Sequence, residues 1–185
     1  MASSTKILGI SGSMRKRSFN TALLRAAQEL LPPEATLEIF DISKFPLFNQ
    51  DMEATPPAGV VEFKLKIRGS DAILFAAPEY NFSVSALLKN AIEWANRPSK
   101  DNAWDGKPAL ITSASTGARG GARAQLHLRQ ILSDVNMFPL NKPQLLVGNA
   151  REAFDSDLRL IDETHRQTLK QLLAALVAWS AKVRS

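Results

Sequence analysis

Three short stretches of this sequence concentrate hydroxyl, amide, guanidinium and glycine groups, which bind small molecules more readily than they fill a core. The first is SGSMRKRS at residues 11–18, which follows an apolar run and precedes an amphipathic one. Free N–H groups at a helix start, together with hydroxyls and a guanidinium, form a good phosphate site. We therefore expect this loop to hold a phosphate, although Ser18 could equally be a plain N-cap and the cations could be solvated.

The second and third stretches carry groups suited to a planar ring. PEYNFSVS at residues 78–85 contains an acid, an aromatic residue and an amide, and SASTGARGG at residues 113–121 contains three glycines. Asn81 and backbone N–H groups could meet ring heteroatoms while Tyr80 covers the ring, or Asn81 could cap a turn while Tyr80 packs on the surface. The glycines allow close backbone approach to a ligand, and a flexible hinge is the alternative interpretation.

The elements that must position these loops alternate regularly between strand and helix. Short apolar runs predict strands at residues 6–10, 36–42, 72–77, 108–114 and 144–147. Helical periodicity predicts helices at residues 18–31, 60–69, 85–96, 121–136 and 156–183. Only the second strand alternates apolar and polar residues, so we expect it at an exposed edge.

This alternation predicts an α/β fold in one domain over residues 1–185. The expected architecture is a flavodoxin-like three-layer sandwich, with a five-stranded parallel sheet of order 2-1-3-4-5 and helices on both faces. The three loops follow the first, third and fourth strands, so they meet at the carboxyl edge of the sheet, where such folds bind ligands. The first loop has neither the Walker A pattern nor G-x-G-x-x-G, which disfavours a nucleoside triphosphate or a Rossmann dinucleotide site.

Composition excludes several classes of chemistry. The chain has no cysteine, so disulfides, thiolate nucleophiles and cysteine metal sites are excluded, and its two histidines, His127 and His165, are far apart. We therefore expect no metal. The amino terminus lacks a long apolar segment, so we expect a cytoplasmic protein without a membrane partner. The net charge of +5 favours a small anionic ligand over nucleic acid, because no long basic block is present.

The motifs, taken together, resemble one family. They are G-S-x-R-x-x-S-x-N at residues 12–20, P-E-Y-N-x-S at 78–83 with L-K-N-A-I-E-W at 88–94, and G-G-x-R-A-Q-x-H-L-R-Q at 120–130. They resemble the NAD(P)H-dependent FMN reductase family, which includes bacterial quinone and chromate reductases. The resemblance implies a flavodoxin-like fold and non-covalently bound FMN. The chain departs from the family pattern at Ser85 and Ala86, where Pro-Gly is usual, and at Glu93, where aspartate is commoner.

The resemblance also implies roles for individual residues. The FMN phosphate would be held by Ser13, Arg15, Ser18 and Asn20. The isoalloxazine ring would be bordered by Pro78, Glu79, Tyr80, Asn81, Ser115, Thr116, Gly117 and Gly120. No side chain is expected to act as catalytic acid or nucleophile, because the flavin carries the redox chemistry.

The implied activity is a transfer of hydride from NADPH or NADH through FMN to a small-molecule acceptor. Quinones, free flavin, chromate, ferric complexes and azo compounds are the candidate acceptors, and we expect ping-pong kinetics. Arg119 could attract the NADPH phosphate or could be a solvated charge. The alternatives are a one-electron carrier, which the basic charge and scarce aromatic residues disfavour, and a non-catalytic nucleotide-binding module, which would purify without flavin.

We also expect a homodimer or homotetramer. In the predicted helix 85–96, Leu87, Leu88, Ile92 and Trp94 point in more directions than one buried face needs. Members of the family that the chain resembles associate through this region. Internal packing of Trp94 is the alternative.

Overall fold

The chain folds into a parallel sheet flanked by helices. The computed structural model describes residues 4–184. The strands are β1 (Thr5–Ser11), β2 (Ala35–Phe40), β3 (Ala72–Ala76), β4 (Glu79–Tyr80), β5 (Ser83–Val84), β6 (Pro108–Ala114), β7 (Phe138–Pro139) and β8 (Leu145–Val147). The helices are α1 (Phe19–Glu29), α2 (Ala58–Gly69), α3 (Ala86–Ala95), α4 (Ala122–Asp134), α5 (Ala150–Ala153) and α6 (Glu163–Arg184), with a short 3₁₀ turn at Gln50–Met52. Within the described residues, no helix is both long and apolar enough to cross a membrane.

The order of the main sheet is β2-β1-β3-β6-β7, and every neighbouring pair in it is parallel. This confirms the predicted flavodoxin-like topology. The outermost position is divided between two short strands. β7 pairs with the start of β6 through Pro108 and Ala109, whereas β8 pairs with its end from Thr112 to Ala114. Sequence analysis predicted only the second of these two strands.

Two apolar layers enclose the sheet. α1 and α6 cover one face with small and branched side chains such as Leu23 and Leu172, while α2, α3 and α4 cover the other with residues such as Phe63 and Leu128. All five residues of β3 are buried, as expected for a strand between two helical layers. β2 alternates buried and exposed residues and lies at the sheet edge, as its sequence pattern predicts.

The last helix begins later than predicted. Backbone N–H groups of Asp157 and Arg159 donate to the Asp155 carboxylate at 2.9 and 2.8 Å, and Leu158 has a φ of 62°. These local hydrogen bonds compete with helix formation. α6 starts at Glu163, where the Asp162 carboxylate accepts a hydrogen bond from the third helical residue. The prediction of one helix from residue 156 was therefore wrong, and Asp162 is the N-cap signal that marks the true start.

The side chains of α3 do not form the surplus apolar surface that we expected. Leu88, Ile92 and Trp94 are all buried within the chain, and only Leu87 is half-buried. The Trp94 indole N–H donates to the Pro46 carbonyl at 2.8 Å. The alternative prediction, that Trp94 packs inside the chain, is thus correct. The argument for subunit association from these side chains was wrong.

Candidate functional site

One cleft at the carboxyl edge of the sheet brings together the three loops that follow β1, β3 and β6. Nine of the predicted site residues line it: Ser13, Arg15, Ser18, Asn20, Pro78, Glu79, Tyr80, Ser115 and Thr116. Phe19 and Ala114, which sequence analysis did not assign to the site, also line the cleft. Asn81, Gly117 and Gly120 do not line it. The expected convergence of the loops is therefore present for most of the set.

The start of α1 offers unused hydrogen-bond donors to this cleft. Ser18 is the N-cap, and its Oγ accepts from the Thr21 N–H at 3.2 Å. The N–H groups of Phe19 and Asn20 find no partner within residues 4–184. Arg15 is exposed and makes no ion pair in the same part of the chain. An open helix start beside an unpaired guanidinium is well suited to a phosphate.

Gly12 allows the first loop to pack tightly against the second. A Cβ atom at this position would lie 2.8 Å from Cδ of Pro78 and 2.9 Å from Oγ of Ser85. The Gly12 N–H donates to the Ala76 carbonyl at 2.9 Å, which continues the sheet by one hydrogen bond. The glycine of the first motif is thus required by contact between two loops of the protein.

Asn20 holds α1 against the end of β6. Its amide nitrogen donates to the Ala114 carbonyl at 2.9 Å, and its amide oxygen accepts from the Ala114 N–H at 3.0 Å. The side chain is buried, so both contacts are shielded from water. Its carboxamide is therefore engaged with the strand that precedes Ser115 and Thr116. The open N–H group of Asn20, rather than its side chain, is the part that remains available for hydrogen bonding at the helix start.

The second loop is a tight β-hairpin that sequence analysis did not predict. β4 and β5 pair through Glu79 with Val84 and Tyr80 with Ser83. The turn residues Asn81 and Phe82 have φ values of 48° and 69°. Hairpin turns of this kind normally use Asn-Gly, so the phenylalanine concealed the signal. Tyr80 is 49% exposed at the cleft, where its ring is free to border a ligand.

The carboxylate of Glu79 joins this hairpin to the start of α4. It accepts from the N–H groups of Arg123 at 3.0 Å and Ala124 at 3.4 Å, and from Arg123 Nε at 2.6 Å. The N-cap of α4 is Gly121, which has no side chain to satisfy these donors. Glu79 replaces the missing cap from another part of the chain.

Burial and pairing act in opposite directions on the Glu79 carboxyl. Burial alone would raise its pKa, but the hydrogen bonds from Arg123 and Ala124 and the Arg123 charge outweigh it and hold the pKa below its ordinary value. The Arg123 guanidinium also lies over the Phe82 ring, with Cζ 3.6 Å from the ring centroid. The hairpin is thus fixed to α4 by an ion pair, backbone hydrogen bonds and a cation–π contact.

The glycines of the third loop serve contacts within the protein. Gly120 has a φ of 59°, and a Cβ there would lie 2.7 Å from the backbone of Leu146. Gly121 has a φ of 85°, and its Cβ would lie 2.8 Å from Ser113. The Gly117 N–H donates to Ser115 Oγ at 3.2 Å. The close approaches of Gly120 and Gly121 are thus to the protein itself, whereas a Cβ at Gly117 would make only an ordinary contact of 3.7 Å with Ser115 Oγ.

Comparisons with known proteins show which family the sequence and the fold match. Residues 5–152 match the family model described as NADPH-dependent FMN reductase. A Pseudomonas aeruginosa protein named NAD(P)H-dependent FMN reductase is 48% identical, with 100% of both chains covered. An Arabidopsis thaliana NADPH:quinone oxidoreductase is 45% identical, covering 97% of this chain and 93% of the relative. The solved structure of FerB, a flavoenzyme NAD(P)H:(acceptor) oxidoreductase from Paracoccus denitrificans, has a TM-score of 0.89 at 34% identity, with 96% and 98% coverage.

Proposed function

The chain belongs to the NADPH-dependent FMN reductase family, and on this premise we propose that it transfers reducing equivalents from NAD(P)H through FMN to quinones in a ping-pong cycle. The observation that carries the proposal is the cleft itself. It combines the open start of α1 and the unpaired Arg15 with the half-exposed Tyr80 and two hydroxyl side chains. These groups match the phosphate, the ring and the polar edge of FMN.

The residues would share the binding of FMN between its two ends. Arg15, Ser13 and the N–H groups of Phe19 and Asn20 would hold the phosphate, with Ser18 fixing the helix start. Pro78 and Tyr80 would border the ring, and Ser115 and Thr116 would donate or accept hydrogen bonds along its polar edge. Glu79 and Asn20 would act through the backbone that they fix in place.

Bound FMN would supply the hydride transfer, which requires no acid or nucleophile from the chain. The side chains of the cleft would orient the ring and leave one side open to solvent, since Tyr80 and Thr116 are exposed. The nicotinamide nucleotide and the acceptor would use that open side in turn, each leaving before the other binds.

Quinones are the acceptors that we favour, because relatives from plants and bacteria are named quinone oxidoreductases or quinone reductases. Free flavin is the second candidate, which the name of the Pseudomonas aeruginosa relative supports. Chromate, ferric complexes and azo compounds would be incidental acceptors.

We further propose a cytoplasmic homodimer or homotetramer without nucleic-acid or membrane partners. Light scattering at micromolar protein measures the assembly, and a 20 kDa particle would contradict it.

Anaerobic reduction of the purified protein tests the proposed function. The protein loaded with FMN should lose its visible flavin absorbance on addition of NADPH or NADH and recover it on addition of a quinone. Initial rates at several fixed quinone concentrations should give parallel double-reciprocal lines against the nucleotide. Riboflavin serves as the control ligand and should bind more weakly than FMN, because it lacks the phosphate. Flavin that neither nucleotide reduces would indicate a one-electron carrier instead.

A further inference from the structure

A second cavity of about 410 Å³ adjoins the cleft on the side of α5. We call it the arginine pocket, because Arg15, Arg17 and Arg151 line it. Arg15, Phe19 and Thr116 line both cavities, so the two spaces are direct neighbours. A ligand bound at the cleft could therefore reach the arginine pocket past the exposed side chains of Arg15 and Thr116.

The charges of the arginine pocket favour a doubly charged anion. With Arg15 assigned to the FMN phosphate, Arg17 and Arg151 remain for a second anion, and they face one carboxylate, that of Asp155, whose Oδ1 already accepts from two backbone N–H groups. Arg17 donates to the Ser156 carbonyl at 2.6 Å, which fixes its guanidinium and leaves its other N–H groups available. Arg151 is exposed and has no partner among residues 4–184. Guanidiniums in this number bind phosphate monoesters well because their donors match the phosphate oxygens.

The floor of the arginine pocket is aromatic and firmly held. The rings of Phe19 and Phe154 lie with centroids 5.2 Å apart and planes tilted by 39°. Phe154 is buried and forms an antiparallel bridge with Leu160. Because Phe154 is buried, the half-buried ring of Phe19 is the apolar surface on which a nucleoside base could pack while its phosphate meets the guanidiniums.

We propose that the arginine pocket binds the 2′-phosphorylated adenosine of NADPH, and that Arg17 and Arg151 make NADPH the preferred nucleotide. The inference rests on the proposed function, which places the nicotinamide in the adjoining cleft. FMN does not need the pocket for its own phosphate, because the start of α1 already provides one site. Arg119, the cation that the sequence suggested for this role, lines neither cavity.

Binding of two adenosine nucleotides to the FMN-loaded protein tests the site directly. Adenosine 2′,5′-bisphosphate should bind more tightly than adenosine 5′-monophosphate by calorimetry. Arg17→Ala and Arg151→Ala should each reduce that preference about tenfold, the effect of losing a charged hydrogen bond. Arg25→Ala is the matched control, because Arg25 is an exposed, unpaired arginine of α1 that does not line the pocket, and it should leave the preference unchanged.

Three results would overturn the inference: an unchanged preference in both variants, an equal loss of affinity for the two nucleotides, or loss of bound FMN from Arg17→Ala. The last would mean that the pocket belongs to the flavin. Kinetics should agree, with the ratio of kcat/KM for NADPH to that for NADH falling about tenfold in each variant.

The two proposals can fail separately. If neither nucleotide reduces the wild-type flavin but the bisphosphate still binds preferentially, the proposed function fails and the pocket stands. If both nucleotides reduce the flavin but the bisphosphate binds no better than the monophosphate, the pocket alone is refuted.

Discussion

The starts of α1 and α4 lie at the same edge of the sheet, yet they are satisfied in different ways. At α1, Ser18 provides a cap and the next two N–H groups remain open toward the cleft. At α4, the cap is a glycine, and the carboxylate of Glu79 occupies the first-turn donors. One helix start is left for a ligand and the other is filled by the protein's own anion.

The two helix starts therefore have different roles: the donors of α1 are available to a ligand, whereas those of α4 stabilise the fold. The donors of α1 contribute little to the apoprotein, because water satisfies them until a phosphate replaces it. The donors of α4 bind an acid from the hairpin that also carries Tyr80, so they fix the hairpin side of the cleft before any ligand binds. Loss of the groups that open to the cleft at the first start should change ligand affinity, and loss of the contacts at the second should change the stability of the apoprotein.

The largest effect should come from Glu79→Ala. The substitution leaves Arg123 and two backbone N–H groups of α4 without their buried partner, which should lower the free energy of unfolding of the apoprotein by about 3 kcal/mol. Urea unfolding measures this loss. Glu79→Gln is the control, because its amide oxygen still accepts one hydrogen bond, and it should lose clearly less. An unchanged midpoint for Glu79→Ala would show that the hairpin does not depend on this contact.

The lowered pKa of Glu79 also predicts how the stability that this residue contributes depends on pH. A carboxyl whose pKa is lower in the folded state stabilises the protein above its unfolded pKa and loses that contribution as pH falls through the folded value. The stability difference between wild type and Glu79→Gln should therefore be constant above about pH 5 and shrink below the ordinary value of 4.5. A difference that grew on acidification would have the wrong sign for this ion pair.

Arg15→Ala should have the next largest effect, and on FMN affinity. Loss of a charged hydrogen bond to the phosphate should weaken FMN binding by about 2 kcal/mol, while the stability of the apoprotein stays unchanged. Fluorescence titration with FMN measures the loss. Lys16→Ala is the matched control, since Lys16 is equally exposed but does not line the cleft. Similar losses from both variants would mean that the loop acts only through its total charge.

The smallest effects should come from replacing two serine helix caps, Ser18 and Ser85. Ser18 caps α1 at the cleft and Ser85 caps α3 outside it, each accepting a backbone N–H at 3.2 Å. Replacing either by alanine should destabilise the apoprotein by about 1 kcal/mol. Only Ser18→Ala should also weaken FMN binding, because only that helix start opens into the cleft that we propose for the phosphate. Equal FMN affinities in the two variants would refute the role of Ser18.

Sequence periodicity was sufficient for the central strands and for the helices that pack on them, because both are defined by continuous apolar patterns. β6 has the predicted bounds, and α3 differs by one residue at each end. The elements that were missed are all short: β7, the β4–β5 hairpin, the 3₁₀ turn, α5 and the turn before α6. The hairpin turn contains a phenylalanine at a positive φ, which no local propensity favours.

Sequence analysis predicted which residues line the candidate site better than it predicted what those residues contact. Ser13, Arg15 and Tyr80 line the cleft as expected, since loops after parallel strands share an edge. The partners of Asn20 and Glu79 could not be read from sequence, because each contacts backbone more than 40 residues away. The missing side-chain cap at Gly121 was the available signal that α4 needed an acid from elsewhere.

The division of the outermost strand position into β7 and β8 bears on how the protein could be lengthened. The two strands pair independently with the two halves of β6, and residues 141–144 between them are exposed. Extra residues placed at 142–144 would enlarge a surface loop without shifting either register, and doubling such a loop costs only about 0.6 kcal/mol in closure entropy. The segment is therefore a natural position for a reporter domain, because none of residues 141–144 lines the cleft.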